Sequence, residues 1–279
     1  METSERLYPI RRPTAAFCAG AAVAVFGGLI GLGGAEFRLP VLIAIFEVFP
    51  HRAVRINLLI SLATLAVSAI ARFAFIHSTD VSAFSVEIVA MLAGGAIAAW
   101  IGAGLLARIP KRRIIPIIAA LLVAIAALLV FESFFAGVTD FVLPAGHSLR
   151  AAVAFTAGLF VGAVSSLLGV AGGELIIPIL IFLFGADLRT AGTASLLIST
   201  PVVLIGIARH WLTGHYRSRT MLGYLVLPMS AGSVLGAVAG GYLAAWTPND
   251  LLRIVLASVL AVSAAKLLWS RPPPTVVSE

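Results

Sequence analysis

Long apolar runs, interrupted by short polar or glycine-rich breaks, make up nearly the whole chain. They predict helices near 14–30, 53–76, 83–107 and 114–131, and again near 150–168, 188–211, 220–245 and 250–269. Two shorter apolar stretches, 41–49 and 179–185, each follow a glycine-rich break. At 1.5 Å per residue, such a stretch covers roughly half of a hydrocarbon core. Small residues recur on the longer runs, as at Gly20, Gly27 and Gly28, and at Gly94, Gly95, Gly102 and Gly104. Such faces suit close helix packing in lipid. Alternating short strands, the mark of a membrane barrel, are absent from the sequence.

The two glycine-rich breaks are copies of one another. The first reads Gly31-Leu-Gly-Gly-Ala-Glu-Phe-Arg-Leu-Pro40 and the second Gly169-Val-Ala-Gly-Gly-Glu-Leu-Ile-Ile-Pro178. Four of ten aligned positions are identical (Gly31/Gly169, Gly34/Gly172, Glu36/Glu174, Pro40/Pro178), at an offset of 178 − 40 = 138. The register continues: Leu58-Leu-Ile-Ser61 matches Leu196-Leu-Ile-Ser199, Gly94 matches Gly232, and Pro110 matches Pro248. Apolar sequence gives chance matches on Leu and Ala, but it does not readily hold Gly, Glu, Ser and Pro in one register. The pattern predicts a duplicated chain.

Composition turns helices into membrane helices. Of 279 residues, 61% are hydrophobic and 11% charged, against about 25% charged in a soluble domain. The backbone of a membrane-spanning chain must satisfy itself, which predicts an all-α polytopic membrane protein. Its organisation reads as a segment 1–13, a first transmembrane repeat 14–131, a linker 132–149, a second repeat 150–269 and a tail 270–279. Arg6, Arg11 and Arg12 precede the first run as in a signal peptide, but no clear cleavage site follows, so an uncleaved first helix is expected. Cys18 alone makes no disulfide.

Net charge is +7. In this context it speaks for membrane orientation, not for nucleic acid. If each first helix and its short partner return to their starting side, the basic groups Arg6–Arg12, Arg52/Arg55, Arg108–Arg113 and Arg209–Arg219 share one side. Most loop acids, such as Asp80, Glu132, Asp140 and Asp250, then lie on the other. The positive-inside rule therefore favours two homologous halves as inverted repeats, whose broken or re-entrant helices meet at the midplane. The N- and C-termini are then cytoplasmic, in a cell inner membrane.

Broken backbone at membrane depth is tolerated where it lines a cavity. Two helix N-termini, expected at Pro40 and Pro178 because proline suits the first helical turn, would present free N–H groups and partial positive charge to an anion. The predicted pocket uses the backbone of Gly33, Gly34, Gly172 and Gly173, with Pro40 and Pro178 opening the helices. Arg38 either attracts the anion or pairs with a glutamate; its matching position is Ile176. Asn57 and Ser195 match one another and, with Ser61/Ser199, either line the pocket or bond between helices. Glu36 and Glu174 are intramembrane carboxylates whose cost protonation relieves. They either carry a coupling proton or cap the glycine turns. Arg209 is expected to snorkel from its helix end. No Walker loop, HExxH pair or nucleophile elbow occurs, so no enzyme activity, cofactor or metal is expected. The expected partners are a small anionic substrate and the lipid bilayer, with no nucleic acid; a homo-oligomer stays an open option.

These paired glycine–proline motifs, in a duplicated chain of this length, resemble the sulfite exporter TauE/SafE family of permeases. The resemblance covers nearly the whole chain. It implies permeases moving sulfite, sulfonates or related sulfur-containing organic anions, with about eight spans. The expected function is a secondary transporter of such anions, working by alternating access about the midplane site with export the expected direction. The first motif departs from the second in Ala35, where Gly173 stands, and in Arg38. A passive channel, and further off an intramembrane enzyme, are the alternatives.

Overall fold

In a computed structural model of the chain, the described residues are 12–30, 34–75, 81–106, 108–110, 113–121, 123–124, 127, 143–144, 146–214 and 221–244. They form α1 (Pro13–Ile30), α2 (Ala35–Ala44), α3 (Pro50–Phe75), α4 (Ser85–Leu106) behind a 3-10 turn at Val81–Phe84, and α5 (113–121). The second half gives α6 (His147–Leu168), α7 (Gly173–Phe184), α8 (Leu188–Leu212) and α9 (Leu227–Ala244) behind a π turn at Leu222–Val226. The described residues contain no strand. Among the described residues, five stretches are long and apolar enough to cross a membrane: Pro50–Ile70, Val81–Leu106, His147–Leu168, Thr190–Leu212 and Leu222–Gly240. The predicted run 250–269, the tail and most of the linker lie outside the described residues.

The two short helices do not begin at their prolines. α2 starts at Ala35 and α7 at Gly173, with Pro40 and Pro178 inside them. What starts each helix is the glycine before it: Gly34 (φ 69°) and Gly172 (φ 81°) are left-handed. A side chain resists that conformation, whereas glycine adopts it freely. The turn aims the chain and the helix follows at once. Each proline then removes only one backbone rung. Almost all of α2 is buried, including Glu36 and Arg38, so this polar helix sits within the bundle.

Glycines set the packing around it, and they do so twice. A methyl on Gly158 would stand 2.1 Å from the Met91 carbonyl oxygen, and one on Gly20 2.3 Å from that of Met229. A methyl on Gly94 would meet the Phe155 carbonyl at 2.2 Å, and one on Gly232 that of Phe17 at 2.1 Å. Every member of the first contact lies 138 residues from its counterpart in the second. The first helix of each half thus lies against the fourth of the other: α1 on α9, and α6 on α4. Backbone-to-backbone approach of this kind needs small residues and gains van der Waals contact where lipid offers no hydrophobic drive.

The contacts also fix helix directions. Gly94 faces Phe155 and Gly102 faces Ser166, so α4 and α6 run the same way. Gly95 faces Val202 and Gly104 faces Arg209, so α8 runs that way too. His51 Nε2 donates to the Ile109 carbonyl (3.0 Å), which ties the start of α3 beside the end of α4 and makes those two antiparallel. Buried Glu87 in the first turn of α4 pairs with Arg150 of α6. The Arg150 guanidinium also lies 5.4 Å from the Phe184 ring centroid. Large apolar side chains left exposed, such as Val89, Ile101 and Leu105 on α4 and Leu235 and Val238 on α9, form outward faces suited to lipid.

Candidate anion site between the two halves

Ala35 and Gly173, the first residues of α2 and α7, line one cleft. They occupy matching positions in the two halves. Within α7, Leu175 and Ile176 donate back to the Gly172 carbonyl (3.1 and 3.0 Å), and within α2 Arg38 donates to the Gly34 carbonyl (3.3 Å). The N–H groups ahead of these have no i−4 carbonyl within their own helix. Each N-terminus carries roughly half a positive charge, so two such ends meet at one place.

The remaining walls come from α3 and α8. Ser61, Thr64 and Ser68 stand on one side and Ser195 and Ser199 on the other, with Leu65, Leu196 and Ala171 completing the cleft. Ser61 and Ser199 are 1% exposed, whereas Ser68, Gly173 and Leu196 are half-buried. The cleft therefore deepens from partly open residues to sealed hydroxyls. None of the described side chains that line it is acidic.

Behind the α3 wall lies Arg38, which is fully buried. Its Nε donates to Asn57 Oδ1 (3.1 Å) and its Nη2 to Ser61 Oγ (3.0 Å). Asn57 Nδ2 donates in turn to the Ala35 carbonyl (2.7 Å) and, at longer range, to that of Leu168 (3.5 Å). One amide thus joins α3, the start of α2 and the end of α6. The second half has no equivalent charge. Ile176 stands at the position of Arg38, and Ser195 donates to the Gly192 carbonyl (3.0 Å). In charge the cleft is one-sided.

Of the residues singled out from sequence, Gly173 and Ser195 line the cleft. Arg38, Asn57 and Gly34 stand behind it, and Pro40, Gly172 and Pro178 are buried in or beside the two short helices. Glu36 is 1% exposed in the first turn of α2. Gly33 and the side chain of Glu174 lie outside the described residues. Sequence reasoning did not single out Thr64, Ser68 or the Glu87–Arg150 pair. Arg209 does more than reach for an interface: it is half-buried, with its guanidinium 4.7 Å from the centre of the Trp100 ring. Cation–π contact of this kind suits a desolvated arginine.

Comparison with known proteins adds two findings. The family model for sulfite exporter TauE/SafE matches residues 16–267. A protein of Sinorhizobium fredii (strain NBRC 101917 / NGR234) described as "Probable membrane transporter protein y4hK" is 30% identical over 209 residues, which is 74% of this chain and 79% of the relative. No solved structure matches.

Proposed function

Since this chain belongs to the sulfite exporter TauE/SafE family, we propose that it carries small anions such as sulfite or sulfonates across the inner membrane by alternating access. One observation carries the reading. Two helix N-termini from opposite halves open on a single hydroxyl-lined cleft, and none of its described lining side chains is acidic. Positive helix ends and hydrogen-bond donors stabilise an anion without a permanent charge in the pocket. Glu36, buried in the helix that opens on the cleft, is the proposed proton carrier together with Glu174.

Alternating access is supported by the one-sidedness of the cleft. At the 138-residue offset, Thr64, Leu65 and Ser68 correspond to Val202, Val203 and Gly206. That matching side is closed: Val203 is fully buried and packs in one cluster with Leu58. The two halves can exchange these roles, with the open wall closing as the closed one opens.

The inverted arrangement is supported by helix direction. α4, α6 and α8 all run one way, so the chain between α6 and α8 must return, and α7 lies on that return. The first and third helices of the second half then share one direction, as the inverted arrangement requires. A cysteine-free background (Cys18→Ser) tests this with Arg12→Cys and His147→Cys, both at exposed positions ahead of or opening the first helix of a half. The expected result is labelling from opposite faces by an impermeant thiol reagent. Labelling from one face contradicts the inverted arrangement.

Flux tests the function itself. Protein reconstituted in liposomes is expected to move radiolabelled sulfite with saturable kinetics. Flux that rises linearly with concentration identifies a channel, and no flux above empty liposomes excludes sulfite as substrate.

A further inference from the structure

Most buried hydroxyls near the cleft have committed their protons. Thr64 donates to the Ser61 carbonyl (2.9 Å), Ser195 to that of Gly192 (3.0 Å) and Ser166 to that of Ala163 (2.8 Å). Two have not. Ser199 Oγ is buried and finds no hydrogen-bond partner among the described residues. Ser61 Oγ accepts from Arg38 Nη2, and no described residue accepts its proton. A hydroxyl offers one proton and two lone pairs. With a lone pair of Ser61 held by a guanidinium, its O–H is left to point elsewhere, and the residue lines the cleft.

These two serines occupy matching positions, 61 and 199, one from each half. A buried hydroxyl without a partner carries a penalty that natural structures rarely leave unexplained. Here the explanation is a ligand. Resting on the anion-transport reading, we propose that Ser61 and Ser199 form a two-pronged hydroxyl clamp that donates to two oxygens of one bound oxyanion. The clamp is unequal. Ser61 accepts from a charged donor, which polarises its O–H and makes it the stronger prong; Ser199 is neutral. The ligand class is a compact anion with at least two oxygen atoms on one centre. A halide, with a single charge centre and no pair of oxygens, fits the clamp poorly.

The probe is sodium sulfite, titrated by calorimetry into detergent-purified full-length protein against sodium chloride of matched ionic strength. Ser199→Ala removes a hydroxyl that is unsatisfied without ligand, so its ligand-free melting temperature is expected to rise above wild type. Its sulfite affinity is expected to fall roughly tenfold, the worth of one hydrogen bond to a charged group. Ser61→Ala is expected to lose more affinity than Ser199→Ala. Wild-type affinity in either variant, or a lower ligand-free melting temperature in Ser199→Ala, overturns the clamp. If wild type binds sulfite and both variants bind it equally well, the clamp alone falls. If wild type shows no sulfite binding, the transport reading falls and the clamp with it.

Discussion

Gly158→Leu is expected to leave little or no folded protein. The added Cβ alone would lie 2.1 Å from the Met91 carbonyl oxygen and 2.8 Å from the Met91 carbonyl carbon and Cα. These are backbone atoms, so no rotamer change makes room, and α4 and α6 must separate along a face that Gly162 also holds against Gly95. Ordinary overpacking costs about 1–3 kcal/mol. A leucine forced between two backbones belongs at or beyond the top of that range. Separation also pulls Arg150 away from Glu87, whose pairing spans the same two helices. Gly223 provides the contrast. It lies in the π turn with nothing within 4 Å of an added methyl, so Gly223→Ala should stay within about 0.5 kcal/mol of wild type. Size-exclusion profile and thermal unfolding in detergent distinguish the two. A monodisperse Gly158→Leu protein with wild-type melting would mean that the α4–α6 contact is wrongly described.

Asn57→Leu is expected to abolish sulfite flux and to cost about 3–4 kcal/mol. The amide makes two strong bonds that leucine cannot replace: it accepts from Arg38 Nε at 3.1 Å and donates to the Ala35 carbonyl at 2.7 Å. A hydrogen bond to a charged group is worth about 1.5–3 kcal/mol and a neutral one about 1 kcal/mol. The larger consequence is positional. Arg38 is fully buried, and once Asn57 is gone its Nε loses the partner that helps set the angle of the guanidinium. Ala35, the first residue of α2, loses its tie to α3 at the same time. Asn57→Asp keeps the acceptor for Arg38, with added charge, and turns an acceptor oxygen toward the Ala35 and Leu168 carbonyls in place of the donor, so it should fall between wild type and leucine in stability and flux. Equal behaviour of the two variants would show that the Arg38 bond carries none of the effect.

What the sequence revealed, and what it hid, follows from the duplication. Glycine, glutamate and proline kept in one register are conspicuous in apolar sequence, so the paired motifs were legible. So were the matched polar positions Asn57/Ser195 and Ser61/Ser199. Thr64 and Ser68 were not, because their counterparts are Val202 and Gly206; a repeat marks only what both copies keep. Glu87 faces the same difficulty, since its counterpart is Leu225, and its partner Arg150 lies beyond the linker. The helix starts were misjudged for a different reason. Proline is a strong local signal for a first turn, yet a left-handed glycine dictates direction more strongly, and Gly34 and Gly172 start α2 and α7 ahead of their prolines. Small-residue faces announced close packing without naming the partner. That α1 lies on α9 and α6 on α4 depends on the exchange of helices between halves, which no local pattern encodes.

The central claim is that the cleft between α2, α7, α3 and α8 is where the anion binds. Ser68 offers direct access to it, being a half-buried lining residue outside the proposed hydroxyl clamp. In the Cys18→Ser background, Ser68→Cys should react with a small methanethiosulfonate reagent, and sulfite should slow that reaction in a saturable way that chloride does not reproduce. A labelling rate unchanged by sulfite, in protein that still transports it, would place the anion elsewhere and contradict the account.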